Sequence, residues 1–423
     1  MAKDAKKSAK SSQQSAPTPV VGGATAGLTP EQTKSRESKL SKMIVRSVFG
    51  TAMMVSFGGI IWLGHIYIII MLAWIQVGLF RELVNVRNKR KEDRIGRVPL
   101  FRTIQWLMFF VAMYYMYFKV FLTLGLEQSI LKQLPEALSW RLAKFVDYHT
   151  LIVFVGYVFV FVALVLSLRP GLYKFQIQTF TWTIAVLCLI VYQVKGATVL
   201  IFEGLFWFIL PCALVIFNDI AAYFCGMSFG KKFVSFPLTQ LSPNKTWEGF
   251  IGAAFFTVVF GWYFSDFISN STWTVCRQHE VMAWPSPLEC EIDDVFVKQV
   301  VHFPYEDLSL FTVFAKPVQV HAVALACFAS VIAPMGGLLA SAIKRAYDLK
   351  DFDVLIPGHG GFMDRMDCQF LMLLCTYVHY RTFMKKHDFT ADQLLGIIRT
   401  LQVPSQDYIL RNLADGLNRT LAS

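Results

Sequence analysis

Ionisable side chains are scarce in this 423-residue chain. Asp, Glu, Lys and Arg together make up 16%, against roughly 25% in an ordinary soluble domain. The first 42 residues lack an apolar run of the length a secretory signal needs. No internal repeat is visible, and cysteine occupies only eight positions, too few for a disulfide scaffold of this size. With a mean hydropathy of +0.47, these absences exclude a disordered or collagenous chain and argue strongly against a soluble enzyme. What is present instead is long apolar blocks, with Phe occurring 38 times. The blocks lack the periods of amphipathic helices or half-buried strands. The chain reads as an all-α polytopic membrane protein.

Residues 1–42, rich in Lys, Ser, Ala, Gln, Pro and Gly, read as a disordered basic tail. Ser47 to Phe80 is 34 residues with His65 as its one ionisable group of basic or acidic type. That is too long for one span at about 20 residues each, and it predicts two helices joined by a tight turn at Gly64-His65. Further spans are predicted at about 103–125, 148–168, 177–194, 197–217, 249–267, 317–340 and 361–380, about nine in all. A multi-span domain would thus cover 43–380, with an insert at about 265–315 and a polar tail over 381–423.

Loop charges orient the bundle. Residues 1–42 carry eight basic and three acidic side chains, and Arg81 to Arg102 the same eight and three, whereas Ser265 to Ala315 carries two and eight. Basic loops stay cytosolic, so the insert is expected to be lumenal and the stretches 218–247 and 341–360 cytosolic. This asymmetry also accounts for the net charge of +11 better than a nucleic-acid partner does; headgroups and nucleotide phosphates are the expected anions. Cys276 and Cys290 alone lie outside apolar or cytosolic-facing stretches, and an oxidising lumen would pair them.

The two cytosolic stretches hold most of the polar chemistry. In the first, Asp219 ends one apolar helix and would share a face with Tyr223 and Gly226 if that helix continued. Ser242-Pro243-Asn244-Lys245-Thr246-Trp247-Glu248-Gly249 leads into the next span; Ser242 or Thr246 would cap it, and Lys245 beside its first amides suits a phosphate. An interfacial Lys on a capped helix is the plainer alternative. In the second stretch, Ser341, Lys344, Arg345 and Asp348 fall at i, i+3, i+4 and i+7, one polar stripe. Lys350-Asp351, Pro357-Gly358-His359-Gly360-Gly361 and Asp364-Arg365-Met366-Asp367 follow. The uncharged run Cys368 to Tyr380 is only 13 residues, so its span must begin near Gly361 and take Asp364, Arg365 and Asp367 with it. Two carboxylates at i, i+3 in that position call for a divalent cation, Mg²⁺ rather than Ca²⁺ where protein oxygens are few. A buried Asp-Arg ion-pair network is the alternative.

The 27 positions from Ser341 to Asp367 resemble the signature of phosphatidate cytidylyltransferases, also called CDP-diacylglycerol synthases: S-x-x-K-R, K-D, P-x-H-G-G, D-R-x-D. Asp219 to Tyr223 and Ser242 to Gly249 look like further motifs of that family. Phe202-Glu203-Gly204, Phe217-Asn218-Asp219 and the Cys-bearing insert are similar to its eukaryotic branch. The resemblance implies transfer of the cytidylyl group of CTP to phosphatidate at a polar, cytosol-facing cavity in the endoplasmic reticulum membrane, with Mg²⁺. It implies Lys344, Arg345, Lys350, Asp351, Asp364, Arg365 and Asp367 as catalytic positions. Asp219, Tyr223, Ser242, Lys245, Thr246, Glu248, Ser341, His359, Gly360 and Gly361 would bind substrate, and Asp364, Asp367, Asp351 and Asp219 would hold the metal. Nothing in the sequence decides between a monomer and a homodimer.

Two departures from the family pattern stand out. Asp353 occupies a place that is usually small. Gly336-Gly337 stands where bacterial members have Gly-Asp, which leaves Asp219 to complete the cation site with Asp364 or else to pair locally with Lys245. His359 either donates to a phosphate or closes a turn, and Glu203 either serves function or bonds between helices. Lys119 reads as a snorkelling or paired residue. A transporter would show paired repeats, and a CTP-dependent lipid kinase would release CDP instead of pyrophosphate.

Overall fold

The computed structural model describes residues 30–89, 98, 100–125, 144–145, 147–242, 245–277, 290–303, 311–353, 355, 360–384, 395–396, 398–399 and 401–422. Helix α1 (Pro30–Leu63) meets α2 (His65–Lys89) at Gly64, whose φ of +110° makes the expected tight turn. Helix α1 begins inside the stretch expected to be a disordered tail; residues 1–29 lie outside the described residues. Helices α3 (Phe101–Gly125) and α4 (His149–Leu166) follow, close to the predicted bounds.

The next segment departs from expectation. One long helix runs from Tyr173 to Glu203 as α5 (Tyr173–Leu187), a π turn (Cys188–Tyr192) and α6 (Gln193–Glu203). The break comes at Gly204, with φ +136°, before α7 (Phe206–Phe229). A side chain at Gly204 would sit 3.2 Å from the Val275 carbonyl, so only glycine makes this bend. The predicted boundary near 196 fails because Lys195 and Gly196 are carried inside α6, and Gly204 is the glycine that divides the segment. A π turn frees a carbonyl from the helical ladder, and Gln76 Nε2 of α2 donates to Ile190 O at 2.9 Å.

Helix α8 (Trp247–Ile268) packs on α7 and on α9 (Pro317–Val331). The helix expected over 317–340 breaks at Ile332, ahead of Pro334, and resumes as α10 (Ala333–Ala346). Helix α11 (Met363–His379) packs against α6, α7 and α10 and continues as a π turn to Met384. A last amphipathic helix, α12 (Val403–Ala422), lies in the polar tail. The insert is not helical throughout: β1 (Gln299–Phe303) and β2 (Phe311–Ala315) pair antiparallel, Val301 opposite Val313. A disulfide joins Cys276 to Cys290, as expected for an insert in an oxidising compartment. Arg277 and Tyr380 both reach Glu203 Oε2, at 3.5 and 2.8 Å, so Glu203 takes the interhelical role.

Among the described residues, six helical segments are long and apolar enough to cross a membrane, from His65–Arg87 to Pro317–Ala346. This supports the membrane class. The expected count of about nine is not reached on that measure: the apolar part of α1, Ser47–Leu63, is short, α3 is not among the six, and α11 has 17 residues with three charges near its start. The largest buried cluster joins α2, α5, α6 and α11 through Leu79, Phe80, Ile190 and Phe370. In lipid such packing and internal hydrogen bonds, not exclusion of water, hold helices together.

Candidate active site

Helix α7 does not end at Asp219. It runs on to Phe229, so Asp219, Tyr223 and Gly226 share one face and line a cavity of about 560 Å³. Lys245 and Thr246, Pro334 of α10 and Arg365 of α11 complete its walls. Thr246, not Ser242, caps α8: its Oγ1 accepts from Gly249 N at 3.2 Å. The turn before it is closed by Lys245 N donating to Ser242 O at 3.0 Å. Glu248 does not line this cavity; its Oε1 accepts from Phe233 N and Val234 N at 3.0 and 2.8 Å, tying the loop after α7 to α8. Pro243, Asn244 and His359 lie outside the described residues, as does the side chain of Lys119.

The predicted stripe on α10 divides. Ser341 Oγ bonds back to Gly337 O at 2.8 Å, and Lys344 Nζ meets Asp364 Oδ1 at 2.7 Å. Arg345 turns away, exposed, to Leu349 O at 3.2 Å. The helix stops at Ala346 and Asp348 takes a left-handed φ of +56°, which removes it from the stripe. Lys350 and Asp351 lie exposed on the following loop, while Phe352 is buried under the Lys344 ammonium.

Asp364 and Asp367 do not face the same space. Asp364 Oδ2 accepts from Phe352 N and Gly361 N, both at 3.1 Å, while its other oxygen takes Lys344. The Gly361 amide, expected to bind phosphate beside Gly360, is thus already satisfied by Asp364. Asp367 Oδ1 accepts from Cys368 N at 2.8 Å, and its Oδ2 lies 3.3 Å from where a side chain on Gly337 would begin. Asp219 feels the charges of Asp367, Lys245 and Arg365. Among the acidic groups it is thus Asp367, and not Asp364, whose charge acts on Asp219. Among the described residues no three His, Cys, Asp or Glu side chains gather into a metal nest. Asp219 and Asp367 carry hard carboxylate oxygens of the kind that Mg²⁺ takes together with phosphate oxygens and water.

A second, largely apolar cavity of about 480 Å³ lies between α1, α2, α7 and α11, lined by Met53, Phe57, Ile75 and Ile216 among others. It shares two residues with the first cavity, Asp219 and Arg365. Sequence reasoning missed one group here. Glu82, buried near the end of α2, accepts from Phe362 N at 2.8 Å and Met363 N at 2.9 Å, the first amides of α11. In the sequence it is one acidic residue among the charges of a basic loop, with no neighbour to mark it.

The chain matches the Cytidylyltransferase family over residues 44–383. A Dictyostelium discoideum protein described as a probable phosphatidate cytidylyltransferase is 38% identical over 90% of this chain and 79% of its own length. The Saccharomyces cerevisiae phosphatidate cytidylyltransferase is 36% identical over 88% of this chain and 79% of its own. Phosphatidate cytidylyltransferase 2 of Homo sapiens is 34% identical over 96% and 89%.

Proposed function

Because this chain belongs to the cytidylyltransferase family and is a nucleotidyltransferase, we propose that it transfers the cytidylyl group of CTP to phosphatidate, giving CDP-diacylglycerol and pyrophosphate. The observation that carries this reading is the meeting, at Asp219 and Arg365, of a cavity that also carries Lys245 and Thr246 with a more apolar one. A nucleotide held near Lys245 and Thr246 and a lipid whose chains lie along Met53, Phe57 and Ile75 would bring their phosphates together there.

The phosphate of phosphatidate is already an anionic nucleophile. One of its oxygens bonds to the α-phosphorus of CTP as the bond from that phosphorus to the β-phosphate oxygen breaks, and pyrophosphate leaves. No strong general base is needed, so catalysis falls to positioning and charge neutralisation. Arg365 at the junction would hold the attacking and transferred phosphates side by side, and Lys245 the triphosphate. Lys344, locked to Asp364, would fix the first turn of α11 that presents Arg365 and Asp367. Mg²⁺ held by Asp219 and Asp367 would supply charge stabilisation for the leaving pyrophosphate. On this reading Arg345, Lys350 and Asp351 stand on the rim, and the site opens to the cytosolic side of the endoplasmic reticulum membrane. The Cys276–Cys290 disulfide supports a lumenal insert on the opposite side.

The test is turnover by purified protein in detergent or vesicles, supplied with CTP, phosphatidate and Mg²⁺. CDP-diacylglycerol and pyrophosphate in equal amounts are expected, with loss of turnover on chelation. CDP release with a phosphorylated lipid would overturn the reading in favour of a lipid kinase.

A further inference from the structure

The N-terminal end of α11 carries Asp364, Arg365 and Asp367, yet its N-cap residue, Phe362, offers no capping side chain. Helix N-termini leave amides that must be satisfied, all the more inside a membrane protein. Here the partner comes from 280 residues away: Glu82 of α2 takes Phe362 N on one carboxylate oxygen and Met363 N on the other. A carboxylate at this end of a helix is favoured by charge as well as by hydrogen bonding. The approach is close enough that a side chain on Gly361 would begin 2.7 Å from Glu82 Oε2. Gly361 is thus required by the approach of Glu82.

The same helix α2 presents Leu72 and Ile75 to the apolar cavity, and Arg365, two residues beyond Met363, lines both cavities. We propose that Glu82 is a positioning residue for the reaction: it sets the first turn of α11, with Arg365 and Asp367, in register with the α2 wall of the lipid cavity. It touches no reacting atom. This rests on the reading of the site as a place where lipid and nucleotide phosphates meet, although the clamp itself does not depend on which substrates those are. Neutralising Glu82 leaves one acceptor for two amides, so the turn that carries Arg365 and Asp367 loses its fixed place. A misplacement of about 1 Å at such groups costs on the order of 100-fold in rate.

The experiment uses full-length protein with Glu82→Gln, Glu82→Ala, Gly361→Ala and the double variant Glu82→Ala/Gly361→Ala. Hydrogen exchange of peptides covering 360–368 gives a readout independent of any substrate. Glu82→Gln is expected to speed exchange there while peptides of α7 and α8 keep their wild-type rates, and to lower kcat roughly 10- to 100-fold with KM for CTP changed less than about threefold. Gly361→Ala is expected to be severe alone and to add little once Glu82→Ala has removed the carboxylate, the signature of two coupled residues. Additive losses, wild-type exchange and kcat in Glu82→Gln, or acceleration spread evenly over the whole protein would overturn the proposal. Should wild type fail to turn over CTP and phosphatidate, the proposed reaction falls, and the exchange pattern still decides the clamp.

Discussion

Lys344 Nζ lies 2.7 Å from Asp364 Oδ1, with the two side chains only 15% and 8% exposed. The pair joins the end of α10 to the start of α11, and Asp364, unlike Asp219, is not among the groups that line the first cavity. Removing one member of such a pair strands the other charge in a poorly solvated place, a loss of about 3 kcal/mol. Lys344→Met and Asp364→Asn should therefore each lower the unfolding midpoint and cut turnover to a small residual rate. The double variant Lys344→Met/Asp364→Asn should regain stability over either single one without regaining activity. Thermal unfolding in detergent beside a turnover assay checks both parts; a double variant no more stable than the singles would refute the pairing.

The disulfide closes a short loop, its cysteines 14 residues apart, and Arg277 next to it reaches Glu203 at the end of α6. Cys276→Ser should cost roughly 3 kcal/mol of stability through the freed loop. Because Glu203 and Tyr380 sit at the opposite end of α11 from Asp364, kcat per folded molecule should stay near wild type. Unfolding curves and titrated active fraction test this. A kcat reduced at full folded fraction would show that the insert reaches the site.

Local patterns were legible in the sequence and long-range ones were not. The spacing from Ser341 to Asp367 marked the site because its chemistry is written within 27 residues. The break at Ile332 falls two residues ahead of Pro334, inside what reads as one span over 317–340, because proline cannot donate to the preceding turn. The division at Gly204 stayed hidden, since periodicity does not decide whether Gly196 or Gly204 ends a helix in a long, mostly apolar segment. The hairpin of Gln299–Phe303 with Phe311–Ala315 was missed because the insert was read for charge and cysteine alone. Asp219 beside Asp367, and Glu82 on Phe362, join residues far apart in the chain, and no spacing rule reaches that far.

The apolar cavity makes a prediction about the lipid alone. Met53 and Ile216 line it and take no part in the nucleotide cavity. Replacing either with Trp fills space the acyl chains would occupy. Ile216→Trp should cut kcat/KM for phosphatidate roughly 10-fold, in line with the 1–3 kcal/mol that a misfit group costs in an apolar pocket, while KM for CTP stays unchanged. Short-chain phosphatidate should suffer less than long-chain phosphatidate. An equal loss for both lipids would place the chains elsewhere.

The carboxylates should separate by their response to Mg²⁺. The charge of Asp367 on α11 acts on Asp219 of α7, and a cation between the two would relieve their repulsion. Asp364 is held by Lys344 and two amides. Asp219→Asn and Asp367→Asn should therefore shift the Mg²⁺ dependence of turnover to higher concentration by 10-fold or more, on the order of the loss expected for a missing ligand contact. Residual activity of Asp364→Asn should follow the wild-type Mg²⁺ curve at a lower plateau, since its defect lies in placement. Turnover measured across a Mg²⁺ series for the three variants distinguishes these roles. A shifted curve for Asp364→Asn with unshifted curves for the other two would move the cation to Asp364 and return Asp219 to a local pairing with Lys245.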